Sequence, residues 1–112
     1  MPVNIVSKGD YVAAALTGEL DHHNLIPIRQ EIDTAVSIAL PKVLLLDFGD
    51  VTFMDSSGVG LILGRMKLLK SIGGTVALSG AEGYAGKVIR LAGLAGLILK
   101  EENENANEEK QA

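Results

Sequence analysis

Apolar residues recur along this chain at two periods, and the switches between them mark out its elements. Val3 to Val6 and Tyr11 to Thr17 have strand character and are joined by Lys8-Gly9-Asp10, a hairpin signal. Gly18 stops the second strand. A polar loop, Glu19-Leu20-Asp21-His22-His23-Asn24, then leads into a helical stripe of Leu25, Ile28, Ile32, Ala35, Val36 and Ala39, with Arg29, Glu31 and Asp33 off it. Pro27 is tolerable there as a first-turn residue, and Pro41 ends the segment. Val43 to Phe48 is short and nearly all apolar, the pattern of a buried central strand in parallel pairing.

Gly49-Asp50 predicts a turn, after which Val51 to Met54 leads into a second helical pattern. From about Ser57 to Ile72, Val59, Ile62, Leu63, Met66 and Leu69 step by three and four, and Gly73-Gly74 supplies a left-handed cap. Thr75 to Leu78 reads as the next strand, closed by Ser79-Gly80. A weaker helix spans Tyr84 to Ala92, with Val88, Leu91 and Ala92 inward and Gly93 as its stop, and Leu97 to Leu99 predicts a short edge strand. The order β-β-α-β-α-β-α-β predicts one small α/β domain with a mostly parallel open sheet and helices mainly on one face. That domain covers residues 1–99. Residues 100–112 hold two alanines and no larger apolar side chain, so they are expected to form a polar acidic tail, mobile or weakly helical.

Composition narrows the function. The 112 residues, 47% hydrophobic, suffice for one core. With no Cys, disulfides and thiolate metal sites are excluded, and a reducing cytoplasm fits. No apolar run approaches the roughly 18 residues of a membrane span, and no basic segment precedes an apolar one at the N-terminus. A net charge of −4 and 4% aromatics argue against nucleic-acid binding.

The chemistry concentrates at Asp55-Ser56-Ser57-Gly58, at the start of the second helical pattern. Short side-chain oxygens there suit an N-cap, and that alone explains an acid and two hydroxyls. The glycines do not follow from capping, since Ala at Gly58 and Gly60 would favour a helix by about 1 kcal/mol each. Bare glycines leave the helix tip open to another backbone near Ser56. Ser57 is read as a capping partner through its hydroxyl, Asp55 as an N-cap or as the partner that positions the Ser56 hydroxyl. Right-handed crossovers would bring the loops Gly18 to Asn24 and Gly49 to Ser57 to one edge of the sheet.

Leu16-Thr17-Gly18-Glu19-Leu20-Asp21-His22-His23 and Phe53-Met54-Asp55-Ser56-Ser57-Gly58-Val59-Gly60, continued to Arg65, resemble the anti-sigma-factor antagonists of the STAS domain family, its sporulation branch in particular. The resemblance implies that Ser56 is phosphorylated by a partner serine kinase that is itself the anti-sigma factor. It implies that the unphosphorylated form binds this kinase and frees sigma factor, and that a metal-dependent serine phosphatase of the PP2C type resets the switch. It places Asp21, His22, Asp55, Ser57, Gly58, Val59 and Gly60 at the partner contact of a cytoplasmic protein that is a monomer when free. Two departures stand out: the tail lacks the family's last apolar-faced helix, and Ala81 to Leu91 is rich in glycine where relatives carry Pro and Phe, which implies looser packing.

Other readings are weaker. Asp21-His22-His23 suggests a metal site, but adjacent histidines in a strand-like loop point apart and no third His or Cys exists. Gly58-x-Gly60-x-x-x-Gly64 follows its strand by too long a connection for a dinucleotide fingerprint, and there is no P-loop. A Ser/His/Asp hydrolase would lack the nucleophile elbow. No enzyme activity, cofactor or metal is expected. Arg65 and Lys67 are read as solvent-facing helix charges. The alternative to the sigma-regulating role is a STAS module of another kind, a stress-signalling scaffold or a lipid-transport accessory.

Overall fold

The computed structural model describes residues 3–99. Strands β1 (Val3–Lys8) and β2 (Tyr11–Leu20) form an antiparallel hairpin around the two-residue loop Gly9-Asp10, with Gly9 at φ +57°. Helix α1 (His22–Ala39) returns the chain to β3 (Val43–Met54), α2 (Ser56–Ser71) to β4 (Thr75–Ser79), and α3 (Gly83–Leu91) follows. The sheet order is β1-β2-β3-β4, with β2, β3 and β4 mutually parallel, so β3 is the central strand that its apolar run predicts.

One face of the sheet presents Val12, Ala14, Leu16, Leu44, Leu46, Val76 and Leu78, all buried. Leu25, Ile28, Ile32 and Val36 of α1 and Leu61, Ile62 and Leu69 of α2 belong to the same core cluster. The α1 stripe is therefore the one its spacing predicts. The α2 stripe is rotated: Leu63 is 50% exposed, and Arg65 lies inward instead. In α3 the buried residues are Ala85, Gly86 and Ile89; of the expected set Val88 is half-buried against the core, whereas Leu91 is 80% exposed and Ala92 is exposed as well. A nine-residue helix has few apolar positions, and Ala85 to Ile89 fills the i, i+4 spacing as well as the expected set does.

Several expected boundaries shift. β2 runs through Gly18 to Leu20, and β3 runs through Gly49-Asp50 to Met54. The register steps from Ala15↔Asp47 to Thr17↔Asp50 and from Gly18↔Val51 to Glu19↔Phe53, so β3 carries one extra residue at each place. The glycine read as a turn is thus a bulge, whose Gly49 N–H is taken by the Asp47 carboxylate at 2.9 Å. α1 starts at His22, which puts Pro27 in its second turn; Pro27 is exposed, so water can serve the His23 carbonyl that loses its helical partner. The expected last strand reduces, among the described residues, to a short 3-10 turn (Ala95–Leu97) and one parallel bridge, Leu78↔Ile98. Gly86 packs so tightly against the Ala81 carbonyl that a Cβ would not fit, so the glycine there serves close contact instead of looseness. The predicted stop of α2 holds: Gly73 at φ +77° donates to Lys70, and Gly74 donates to Leu69. The acidic tail lies outside the described residues.

Candidate functional site at two capped helix starts

The loaded stretches do come together. β2 and β3 end in register at Leu20↔Met54, and the Asp55 N–H donates to the Leu20 carbonyl at 3.3 Å. Each strand then passes directly into a helix through an aspartate in extended conformation. Asp21 caps α1 by accepting from the Asn24 N–H at 2.9 Å, and Asp55 caps α2 by accepting from the Ser57 N–H at 2.8 Å. Two helix N-termini thus sit side by side at the end of the sheet that parallel α/β folds present to ligands.

Ser56 is the first residue of α2 and is exposed. Asp55 and Ser57 are half-buried and Gly60 is exposed, with nothing within 4 Å of where a Cβ would stand. Gly58 differs. It is buried, and a Cβ there would run into Cγ and Sδ of Met54, so packing under the helix is by itself a reason for this glycine. Val59 is half-buried against the core. Asp55 takes the first of its two expected roles, the N-cap; the Ser57 hydroxyl makes no capping bond among the described residues, and it is the Ser57 backbone N–H that is capped.

On the other junction, His22 and His23 are the first two residues of α1, not part of a strand-like loop, with their rings edge to face at 5.9 Å. Asn24 Nδ2 donates to the Glu19 carbonyl at 3.0 Å, which ties the first turn of α1 back to the end of β2. Among the described residues no group of three His, Cys, Asp or Glu is placed to hold a metal ion. No described helix is long and apolar enough to cross a membrane.

His22 of one junction and Ser57 and Gly60 of the other line a single groove of about 360 Å³ between α1 and α2. Arg65, read from sequence as a surface charge, lies on that groove with only 7% of its surface exposed, and its Nε is 3.0 Å from Asp33 Oδ1. Burial holds the Arg65 guanidinium below its ordinary pKa; Asp33 opposes this shift and Arg29 adds to it. The signal was available in the spacing, because Arg65 follows Ile62 by three and precedes Leu69 by four. The stack of Phe53 on Tyr84, with centroids 5.4 Å apart, had no such local signal.

The sequence matches the STAS domain over residues 3–109. The chain belongs to the STAS domain family. Among its relatives in that family, the anti-sigma F factor antagonist of Lysinibacillus sphaericus is 36% identical over 95 residues, covering 85% of this chain and 81% of that protein. The corresponding antagonist of Paenibacillus polymyxa is 35% identical over 89 residues, covering 80% and 76%. Among solved structures, the anti-sigma factor antagonist SpoIIAA in its unphosphorylated form superposes with a TM-score of 0.78 at 33% identity, covering 95% of this chain and 96% of that one. The phosphorylated form of the Bacillus SpoIIAA gives 0.71 at 33% identity, covering 93% and 97%. The STAS relatives with these names are regulatory antagonists, and the fold expected from the sequence is theirs.

Proposed function

We propose that this chain is a phosphorylation-switched anti-sigma-factor antagonist: unphosphorylated, it binds an anti-sigma serine kinase in the cytoplasm and frees sigma factor, and a phosphate on Ser56 ends that binding. The observation that carries this reading is an exposed Ser56 at the tip of a helix already capped by Asp55, in a chain whose relatives are antagonists and include a structure in a phosphorylated form.

The local chemistry supports a switch that works at the contact surface. A phosphate would add about −1.5 to −2 charges. The helix dipole would favour it by only ~0.3–2 kcal/mol. Here even that gain is limited, because the Ser57 N–H is held by the Asp55 carboxylate and the Gly58 N–H by the Asp55 carbonyl. The phosphate therefore has little reason to fold back on the helix and faces what approaches, with the Asp55 charge beside it. Driving a complex from mostly bound to mostly free takes about 5.5 kcal/mol. Like charges 4 Å apart contribute about 4 kcal/mol per pair at an effective dielectric of 20. Two such contacts suffice, so no refolding of the domain is required. Asp21, His22, Ser57, Val59 and Gly60 complete the contact surface, with Gly58 behind them as packing. A PP2C-type phosphatase would restore the hydroxyl.

The test is to mix the protein with the serine kinase encoded beside a sigma factor in the same genome, add ATP, and digest for mass spectrometry. One phosphate on Ser56, and none in Ser56→Ala, is expected. Phosphate on another residue, or none, would sink the reading.

A further inference from the structure

The groove between α1 and α2 holds a charge imbalance that the fold leaves open. Arg65 is buried, its side chain 9% exposed, and Asp33, its one ionic partner among the described residues, is 38% exposed. Although their separation is 3.0 Å, Arg65 Nε and Asp33 Oδ1 are not aligned as a hydrogen bond, and Arg65 Nη1 is buried without a hydrogen-bond partner among the described residues. Arg29 lines the same groove, is exposed, and has no ion pair among the described residues. Two guanidiniums thus line one groove, and only Arg65 is paired with a carboxylate among the described residues, in a chain whose net charge is −4. Buried cations are ordinarily matched by anions and hydrogen bonds, and here the match is incomplete.

We propose that this groove receives an acidic side chain, Asp or Glu, from the partner protein that engages Ser56. The inference rests on the antagonist reading above and extends its contact surface along the α1–α2 seam. A carboxylate is the planar counterpart of a guanidinium and takes two parallel N–H bonds from it. Leu25, Ile26 and Leu61 supply apolar walls for the methylenes that carry the carboxylate. Gly60 and Gly64 leave the α2 side of the opening without side chains, and nothing stands within 4 Å of either missing Cβ. The rim is continuous with the switch, since Ser57, next to Ser56, lines it. Phosphate at that rim would weaken the positive field that draws the partner's acid, so the groove and the hydroxyl act in the same direction.

Arg29→Glu tests this on an exposed residue, with Arg29→Ala as a second variant and a thermal melt to establish folding. Binding of the cognate serine kinase is measured by calorimetry, alongside phosphorylation of Ser56 by mass spectrometry. The inference expects affinity to fall at least tenfold in Arg29→Glu and less in Arg29→Ala. It also expects one Asp→Lys or Glu→Lys substitution on the kinase to restore binding to Arg29→Glu but not to Arg29→Ala. If wild type binds and is phosphorylated while folded Arg29→Glu binds equally well, the groove inference fails and the antagonist reading stands. If wild type neither binds nor accepts phosphate, it is the antagonist reading that fails. Failure of every charge swap to rescue, or acetate-induced NMR shifts at Arg29 and Arg65 with kinase affinity unchanged in Arg29→Glu, would make the groove something other than a partner slot and overturn the proposal.

Discussion

At the β2–α1 junction an aspartate caps a helix whose first turn carries two imidazoles and an asparagine. At the β3–α2 junction an aspartate caps a helix whose first turn carries two hydroxyls and a glycine. The backbone plan is shared: paired parallel strands, extended caps, side-chain acceptance from an N–H two or three residues on. The finish differs. Asn24 reaches back to Glu19 and closes the first turn on itself, while His22 and His23 crowd its surface. At the second junction the exposed Ser56 side chain has no such tie among the described residues, and Gly60 leaves the next turn bare. A reader of charge therefore finds an open, small-residue tip next to a braced one. The difference teaches which of two equivalent helix starts is fitted for chemistry on its side chains.

The largest effect should come from adding charge to each tip in turn. Ser56→Asp places a carboxylate where the phosphate would stand, and one like-charge contact of about 4 kcal/mol corresponds to a loss of roughly 10²- to 10³-fold in kinase affinity. His23→Asp adds the same charge to the braced junction, and a loss under about tenfold is expected from screened, more distant repulsion. Titration calorimetry of both variants against the kinase makes the comparison directly. Equal losses would mean that the partner reads total charge at the sheet edge and that the contrast between the tips is immaterial. Full affinity in Ser56→Asp would remove charge exclusion altogether.

Next in size is the pair of glycines on the open tip. Gly58→Ala forces a methyl into Met54, and overpacking of that kind costs about 1–3 kcal/mol. Gly60→Ala meets open space, so the helix should gain up to about 1 kcal/mol in stability. Denaturant unfolding should thus move in opposite directions for two changes that look identical in sequence. A gain in both would mean that Met54 yields freely and that packing does not require Gly58; a loss in both would mean that the turn at Gly60 is not open.

That pair also shows where sequence reading runs out. Both glycines stand out as poor helix residues, and their departure from propensity is legible. Their reasons differ, because one Cβ position faces a side chain four residues back at the end of β3 and the other faces nothing. Element order, the parallel central strand and the α1 stripe were legible, since each is stated several times over by periodicity. The bulges in β3 were not, because Gly49-Asp50 spells a turn unless a neighbouring strand is present to keep pairing. Arg65 reads as a surface charge for a related reason: residue type outweighs position, although its spacing places it on the buried stripe. Asp55 is the N-cap that its place before two serines suggests, whereas the choice between its carboxylate and the Ser57 hydroxyl as the capping group takes a hydrogen bond to assign.

The smallest effects concern the caps themselves, and they decide whether the two junctions share a plan energetically as well as geometrically. Replacing an N-cap aspartate by alanine costs about 1 kcal/mol, so Asp21→Ala and Asp55→Ala should each destabilise the fold by that order. Asn24→Ala removes the exposed tie to Glu19 and should cost about 0.5–1 kcal/mol. Asn24 is also the residue whose N–H Asp21 accepts, so the side-chain tie and the cap hold the same turn. Asp21→Ala combined with Asn24→Ala should therefore depart from additivity, while Asp55→Ala combined with Asn24→Ala should add to within about 0.5 kcal/mol. Chemical unfolding of the five variants reads both cycles. Coupling in the second cycle as large as in the first would mean that the strand ends transmit strain from one helix start to the other, so that the braced junction helps to set the geometry of the open one.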